Sequence, residues 1–134
     1  MPVLEIPSVT FINLQYGDVS ADLDRLKSKL DVTVHRFDDL DLFDNIDDAA
    51  ALSAALDLVV STISAVPIIS AGVGTHTTLA AWKQSPWSNK LFNPVGPAVN
   101  FVYRNSWDPW RTTFECIASD IKVGLGMKSS SSEI

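Results

Sequence analysis

The sequence predicts an α/β domain built on a single doubly wound parallel sheet of about five strands, with helices on both faces. Two observations predict it. Short runs of β-branched and aromatic residues alternate with stretches of helical period, and a central apolar run lacks polar alternation, as in a strand covered on both faces. A chain of 134 residues is long enough to bury roughly two-thirds of its unfolded surface, so the core needs no disulfide or metal.

The first half of the chain predicts two strands and two helices. Residues 8–14 are rich in β-branched and aromatic types and favour a buried strand. Residues 20–30 favour a helix, because leucines spaced three and four apart share one of its faces. Residues 32–37 form the second strand, and Asn45 is the expected N-cap of the second helix, with two aspartates in its first turn.

The second half continues the same alternation. Residues 58–60 form the predicted third strand, and a short helix over 64–71 is ended by two glycines. Residues 79–81 belong to a fourth strand, and 83–97 form a long proline-containing loop. The alternating residues of 99–103 fit a fifth strand at the edge of the sheet.

The last helix has the clearest start, with Asp108 as its expected cap and Pro109 as its first residue. Apolar residues then follow at spacings of four, three and four, so they form one buried stripe. The stripe consists of Trp110, Phe114, Ile117 and Ile121. The domain is expected to span residues 1–127, followed by a disordered, serine-rich tail over 128–134.

The charge balance excludes some partners. The net charge of −6 argues against nucleic acid, whose phosphates need clustered Lys and Arg. The apolar stretch over 56–74 is broken by polar residues, so no membrane span is expected. The N-terminal residues lack the pattern of a targeting signal. The single Cys116 fits a reducing compartment, hence the cytoplasm, and is expected to lie in the core.

Ligands of doubly wound sheets bind outside the carboxyl ends of the strands. With a strand order of 2-1-3-4-5, the binding crevice lies where strands one and three diverge. The residues placed there are Gln15, Tyr16, Gly17, Ser61, Thr62 and Ser64. Lys83 lies just past the fourth strand, where its ammonium group either pairs with a diphosphate or is simply solvated.

Five short segments, taken in order, resemble a known domain. They are residues 11–18 (Phe-Ile-Asn-Leu-Gln-Tyr-Gly-Asp), 41–44 (Asp-Leu-Phe-Asp), 56–61 (Leu-Asp-Leu-Val-Val-Ser), 85–87 (Ser-Pro-Trp) and 107–110 (Trp-Asp-Pro-Trp). Their order and spacing resemble the C-terminal domain of bacterial glycosyltransferases of the GT-B type that follow tetratricopeptide repeats and are related to heptosyltransferases. The resemblance covers roughly residues 8–123 and implies a Rossmann-like half of a GT-B enzyme.

The resemblance implies a site for a nucleotide-diphosphate sugar. The helix that opens at Ser64 and Ala65 would present backbone N–H groups to the diphosphate. Gln15 and Tyr16 would face the nucleotide from the other side of the crevice. Ser64 is also a plain N-cap candidate, and the two roles are compatible. No further cofactor is implied.

Two departures leave the activity open. Ile63 and Ile68 stand where the family usually carries an acidic residue and a histidine. The acceptor domain that completes a GT-B active site is absent from these residues. The chain is therefore expected to be either part of a longer enzyme, inactive alone, or a non-catalytic module used in protein association as a homo-oligomer.

Other motifs carry less chemistry. Asp39 and Asp41, like Asp22 and Asp24, match a DxD pattern, but such pairs are frequent in an acidic segment and no metal site is expected. His76 lies at the start of a predicted strand and is interpreted as a surface residue or as one whose hydrogen bonds are satisfied within the fold.

Overall fold

The structure is a computed structural model that describes residues 1–83 and 99–127. The predicted loop over 83–97, apart from Lys83, and the predicted tail over 128–134 lie outside these residues. The strands are β1 (Phe11–Ile12), β2 (Val34–His35), β3 (Leu58–Ser61), β4 (His76–Trp82) and β5 (Val99–Arg104). The helices are a 3₁₀ turn (Pro2–Glu5), α1 (Ser20–Leu30), α2 (Ile46–Ala54), α3 (Ala65–Gly72) and α4 (Trp110–Gly124).

All paired strands are parallel, which confirms the mixed α/β class, but they form two sheets. β1 pairs with β2, and β3, β4 and β5 form a three-stranded sheet in that order. The expectation of one five-stranded sheet is therefore wrong. The neighbours within each sheet agree with the predicted order, but within residues 1–83 and 99–127 no ladder joins β1 to β3.

The shortness of β1 explains the break. The side chain of Asn13 donates to the carbonyl of Gln15 at 2.9 Å and accepts from the Gln15 N–H at 3.3 Å. This local Asx turn uses backbone groups that a longer strand would offer to a neighbour. At the other end, Ser8 has a φ of 61°, in the left-handed region. Only Phe11 and Ile12 remain extended and paired, against Val34 and His35.

One hydrophobic cluster connects both sheets with α4. Its buried members include Ile6 near the N-terminus, Ala80 on β4 and Ile117 on α4, which is fully buried. Phe11 of β1 and Val60 of β3 pack against this cluster from their separate sheets. The side-chain stripe predicted on the last helix is thereby confirmed, since all four of its members belong to the cluster or pack on it.

Two expectations for the C-terminal helix are wrong. Its N-cap is Pro109, and Asp108 accepts a hydrogen bond from the Asn105 side-chain amide at 2.9 Å instead of capping the helix. Cys116 is exposed and not in the core, because it stands beside Ile117 but outside the apolar stripe. Trp107, in the turn before the helix, is 96% exposed.

Helix α1 occupies the predicted residues, yet it contains no buried residue. Leu30, one of its predicted apolar stripe, is 37% exposed. In the part of the chain that the structure describes, no helix is both long and apolar enough to cross a bilayer.

Candidate functional site

The turn after β1 is fixed by a glycine and an aspartate. Gly17 has a φ of 87°, a conformation that residues with a Cβ rarely adopt. The next residue, Asp18, accepts a hydrogen bond from the backbone N–H of Ser20 at 3.0 Å at the start of α1. The Ser20 backbone and hydroxyl, followed by the charge of Arg36, lower the pKa of Asp18 below its ordinary value. The turn thus holds an ionised carboxylate at neutral pH.

The loop between β2 and α2 is organised by two other aspartates. The carboxylate of Asp41 accepts hydrogen bonds from the backbone N–H groups of Asp44 at 2.9 Å and Phe43 at 3.0 Å. Those two N–H groups lower the pKa of Asp41. Asp48, on α2, accepts from the Asp41 N–H at 3.0 Å. The loop is therefore held in one shape by its own side chains, with Phe43 on its outer surface, 69% exposed.

A cavity of about 210 Å³ lies between this loop and the turn after β1, beyond the carboxyl ends of both strands. The rings of Tyr16 and Phe43 lie beside it with their centroids 5.3 Å apart and tilted by 55°. The lining residues come from two stretches of the chain: Asn13, Gln15, Tyr16, Gly17, Val19, Arg36, Phe37, Asp38, Leu40, Asp41, Leu42 and Phe43.

The charges of the cavity do not favour an anion. Its cationic lining residue is Arg36, whose Nε is paired with the carboxylate of Asp38 and whose Nη1 donates to the Ser20 hydroxyl at 3.0 Å. Against this guanidinium stand two lining carboxylates, Asp38 and Asp41. The charge of the guanidinium is therefore offset by Asp38, and the lining as a whole carries one more negative than positive charge.

The N-terminus of α3 is a different kind of site. Ser64 is the N-cap, but its side chain makes no capping hydrogen bond, and the first turn of the helix contains no acidic residue. Its hydroxyl oxygen lies 3.5 Å from that of Ser61, which donates to the Thr62 carbonyl at 3.0 Å. Pro67 at the third helical position has no N–H, so the free donors of this end belong to Ala65 and Val66.

One comparison places the chain beside a longer protein. Protein FlbA of Caulobacter vibrioides is 32% identical to this chain over 123 residues, which are 90% of this chain and 20% of FlbA. The chain thus spans about one-fifth of the length of the curated relative that it matches. The chain matches no protein-family model, and no solved structure matches it.

The structure brings together some of the predicted site residues and not others. Gln15, Tyr16 and Gly17 line the cavity. None of the remaining predicted residues lines it: Ser61, Thr62, Ser64, Ala65 and Lys83. Ser61 to Ala65 form a second group around the start of α3, and no hydrogen bond between described residues joins the two groups.

Lys83 stands apart from both groups. It is exposed in the turn after β4, where its backbone N–H donates to the Arg104 carbonyl at 3.2 Å.

Sequence reasoning missed the half of the cavity formed by residues 36–43. Arg36 and Phe37 follow a strand in the same way as Gln15 and Tyr16, so their position at a carboxyl strand end was the available signal. Of the two aspartates in the DxD pattern of this loop, Asp41 accepts hydrogen bonds from backbone N–H groups. Among residues 1–83 and 99–127 no three His, Cys, Asp or Glu side chains are grouped as metal ligands.

Proposed function

We propose that this chain is a glycosyltransferase-like domain that binds a nucleotide-diphosphate sugar and is inactive alone. The observation that supports this most directly is the uncapped N-terminus of α3, which follows β3 of the three-stranded parallel sheet. Open α/β sheets bind phosphates at such positions, where a helix begins beyond the carboxyl end of a strand.

The contrast with α2 makes this argument specific. The N-cap of α2, Asn45, accepts hydrogen bonds from the N–H groups of Asp47 at 3.1 Å and Asp48 at 3.4 Å, and both residues bring negative charge to that end. At α3 neither a capping side chain nor a carboxylate is present. The positive end of the α3 dipole and the hydroxyl of Ser64 are therefore available to an anion.

The need for a partner domain rests on two further observations. FlbA is about five times as long as the segment that this chain matches, which leaves room for an acceptor-binding domain elsewhere in a chain of that kind. Ile63 and Ile68, which replace the expected charge-handling residues, are 39% and 38% exposed beside the start of α3. Aliphatic groups cannot exchange protons or stabilise charge, so we propose binding and not transfer for this domain alone.

Calorimetric titration with UDP-, GDP- and ADP-sugars tests the proposal. We expect binding of at least one of them, and we expect Ser64→Asp to weaken it by about tenfold or more, because a carboxylate would occupy the N–H groups and repel the diphosphate. Ser106→Asp adds the same charge in an exposed turn and is the matched control. Absence of heat with all three ligands at millimolar concentration, or equal weakening by both variants, would contradict the proposal.

The exposure of Ile63 and Ile68 favours a second candidate, a non-catalytic module that associates with copies of itself. An apolar patch at this place would be covered in a homo-oligomer. Light scattering should then show a concentration-dependent oligomer that Ile68→Asp dissociates, with Val123→Asp, at another exposed apolar position, as the control. A chain that remains monomeric at high concentration would remove this candidate.

For either function we propose the cytoplasm as the compartment. Cys116 is a free, exposed thiol, which suits a reducing environment. Localisation of a tagged chain by cell fractionation tests this.

A further inference from the structure

The cavity between β1 and the loop after β2 has a size that limits its occupant. Its volume of about 210 Å³ is below the roughly 300–1,000 Å³ typical of sites that enclose a whole drug-sized ligand. A complete nucleotide sugar, with a base, a ribose, a diphosphate and a hexose, is too large for it. One six-membered ring with its substituents fits such a space.

The charges of the cavity disfavour a phosphate group. Asp38 and Asp41 contribute carboxylates to its wall, and Asp41 is kept ionised by two backbone N–H groups. Arg36 already pairs with Asp38 through Nε and donates to the Ser20 hydroxyl through Nη1, so its charge is largely offset by a neighbouring carboxylate. A diphosphate placed here would face uncompensated negative charge.

The remaining features match a polyhydroxylated ring. Tyr16 and Phe43 are 55% and 69% exposed, which is more than is usual for a phenylalanine in particular. The cavity lining also offers hydrogen-bond donors and acceptors. The Gln15 amide makes no side-chain hydrogen bond within the described residues, and the free lone pairs of the carboxylates accept from hydroxyl groups.

We propose that this cavity is a subsite for one uncharged sugar ring, which stacks an apolar C–H face on Tyr16 and Phe43 and directs its hydroxyl groups to Gln15 and the carboxylates. The sugar subsite rests on the proposed function in one respect, because the ring belongs to a glycosyl ligand of the same domain. The diphosphate is then bound elsewhere, at the start of α3.

The internal order of the loop supports a preformed site. Because Asp41 fixes the backbone of Phe43 and Asp44, the Phe43 ring needs no rearrangement of the loop to receive a ligand. A binding wall that is already ordered loses less conformational entropy on binding. The Asx turn of Asn13 holds Gln15 in the same way on the opposite wall.

The test uses the whole chain labelled with ¹⁵N and titrated separately with neutral methyl pyranosides of gluco, galacto and manno configuration, with inorganic pyrophosphate and with methylguanidinium. We expect at least one pyranoside to shift the backbone amide signals of Tyr16, Gly17 and Phe43 in a saturable manner. Pyrophosphate should leave these signals in place.

Phe43→Ala removes one aromatic wall and should weaken pyranoside binding about fivefold, the scale of one aromatic contact. Ile46→Ala is the matched control, since Ile46 is 68% exposed at the start of α2 and does not line the cavity. Both residues are exposed, so neither variant disturbs the core, and the unchanged dispersion of the amide spectrum checks this.

Three results would overturn the proposal: shifts of the cavity amides by pyrophosphate, shifts by methylguanidinium without any by a pyranoside, or no shifts by any of these probes. The titrations distinguish failure of the sugar subsite from failure of the proposed function. Pyranoside binding without heat from any nucleotide sugar would retain the subsite and remove the nucleotide site, and the reverse pattern would remove the subsite alone.

Discussion

The hydroxyl oxygens of Ser53 on α2 and Ser70 on α3 lie 3.2 Å apart in a hydrogen bond, and both residues are almost completely buried. The Ser70 hydroxyl donates its one proton to the Val66 carbonyl at 2.8 Å, so in the contact with Ser53 it accepts, and Thr75 donates to the Ser53 carbonyl at 2.8 Å. These contacts connect α2, α3 and the segment before β4 through polar groups that water does not reach. The C-terminal half of α3 is therefore held against α2 by this network.

Ser70→Ala should lower the free energy of unfolding by about 1–2 kcal/mol, because the buried Ser53 hydroxyl would lose its partner. Urea unfolding followed by circular dichroism measures the change. Ser119→Ala, at an exposed position of α4, should change the stability by less than about 0.5 kcal/mol. If Ser70→Ala were as stable as the wild type, the network would have no energetic role.

The two helix starts should respond differently to removal of their N-cap side chains. Asn45→Ala removes an amide oxygen that accepts from two backbone N–H groups, so we expect a loss of about 1 kcal/mol. Ser64→Ala removes a hydroxyl that caps nothing, and its effect on stability should be within about 0.5 kcal/mol. The two variants, compared in parallel urea titrations, serve as each other's control. Equal losses would show that Ser64 caps α3 in solution.

The Asp41 loop should lose stability in acid. The pKa of Asp41 is lowered from its ordinary value of 3.8 by the N–H groups of Asp44 and Phe43. A carboxyl group whose pKa is lower in the folded chain stabilises the fold fully above its unfolded pKa, and this contribution disappears as the pH falls through the folded pKa. Below pH 3.8 the loop should therefore loosen as Asp41 takes up its proton.

NMR titration of the Asp41 carboxyl carbon, together with the amide signals of Phe43 and Asp44, measures this transition. In Asp41→Asn the acid-dependent shift of the two amides should be absent, whereas Asp39→Asn, a neighbouring change of the same charge, should retain it. An Asp41 midpoint at or above 3.8 would contradict the prediction.

Local patterns in the sequence were sufficient to predict most of the helices and strands. Asn45 and the spacing from Trp110 to Ile121 each specify a helix through contacts within a few residues, and both appear in the structure. Burial on both faces was predicted for residues 58–60, but in the structure it is most complete in β4, with Leu79 and Ala80 at 0% and 1% exposure. The two helices depend on periodicity and capping, which a single chain displays directly.

The sheet and the site depended on longer-range relations. Whether β1 pairs with β3 is decided between distant segments, and the Asx turn at Asn13 competes with that pairing. The cavity wall at Arg36 and Phe43 arises because two strands end at the same edge, and no motif marks it. Cys116 is exposed because it lies one position away from the buried Ile117 on α4, and composition does not indicate which side of a helix a residue occupies.

Arg104 should stabilise the junction of β5 with α4. Its guanidinium carbon lies 4.2 Å from the ring centroid of Trp82 and 5.0 Å from that of Trp110, and its Nε donates to the Asp108 carbonyl. Arg104→Gln removes the cation and should lower the unfolding free energy by about 1–2 kcal/mol. The exposed Arg111→Gln is the control and should cost less than about 0.5 kcal/mol. Equal, small effects of the two variants would show that the stacked cation contributes nothing.

Two glycines at the end of α3 should give opposite effects when replaced by alanine. Gly74 has a φ of 85°, which an alanine adopts only with strain, so Gly74→Ala should lower stability by about 1–2 kcal/mol.

Gly72 is the last residue of the helix, and an added Cβ there would meet no atom within 4 Å. Gly72→Ala should therefore raise stability by about 0.5–1 kcal/mol, because alanine loses less backbone entropy in a helix. Thermal unfolding of the pair measures both signs. A Cβ at Gly74 would also meet no atom within 4 Å, so the two variants differ in backbone conformation and not in steric contact. If both variants changed the stability in the same direction, backbone conformation would not determine the end of α3.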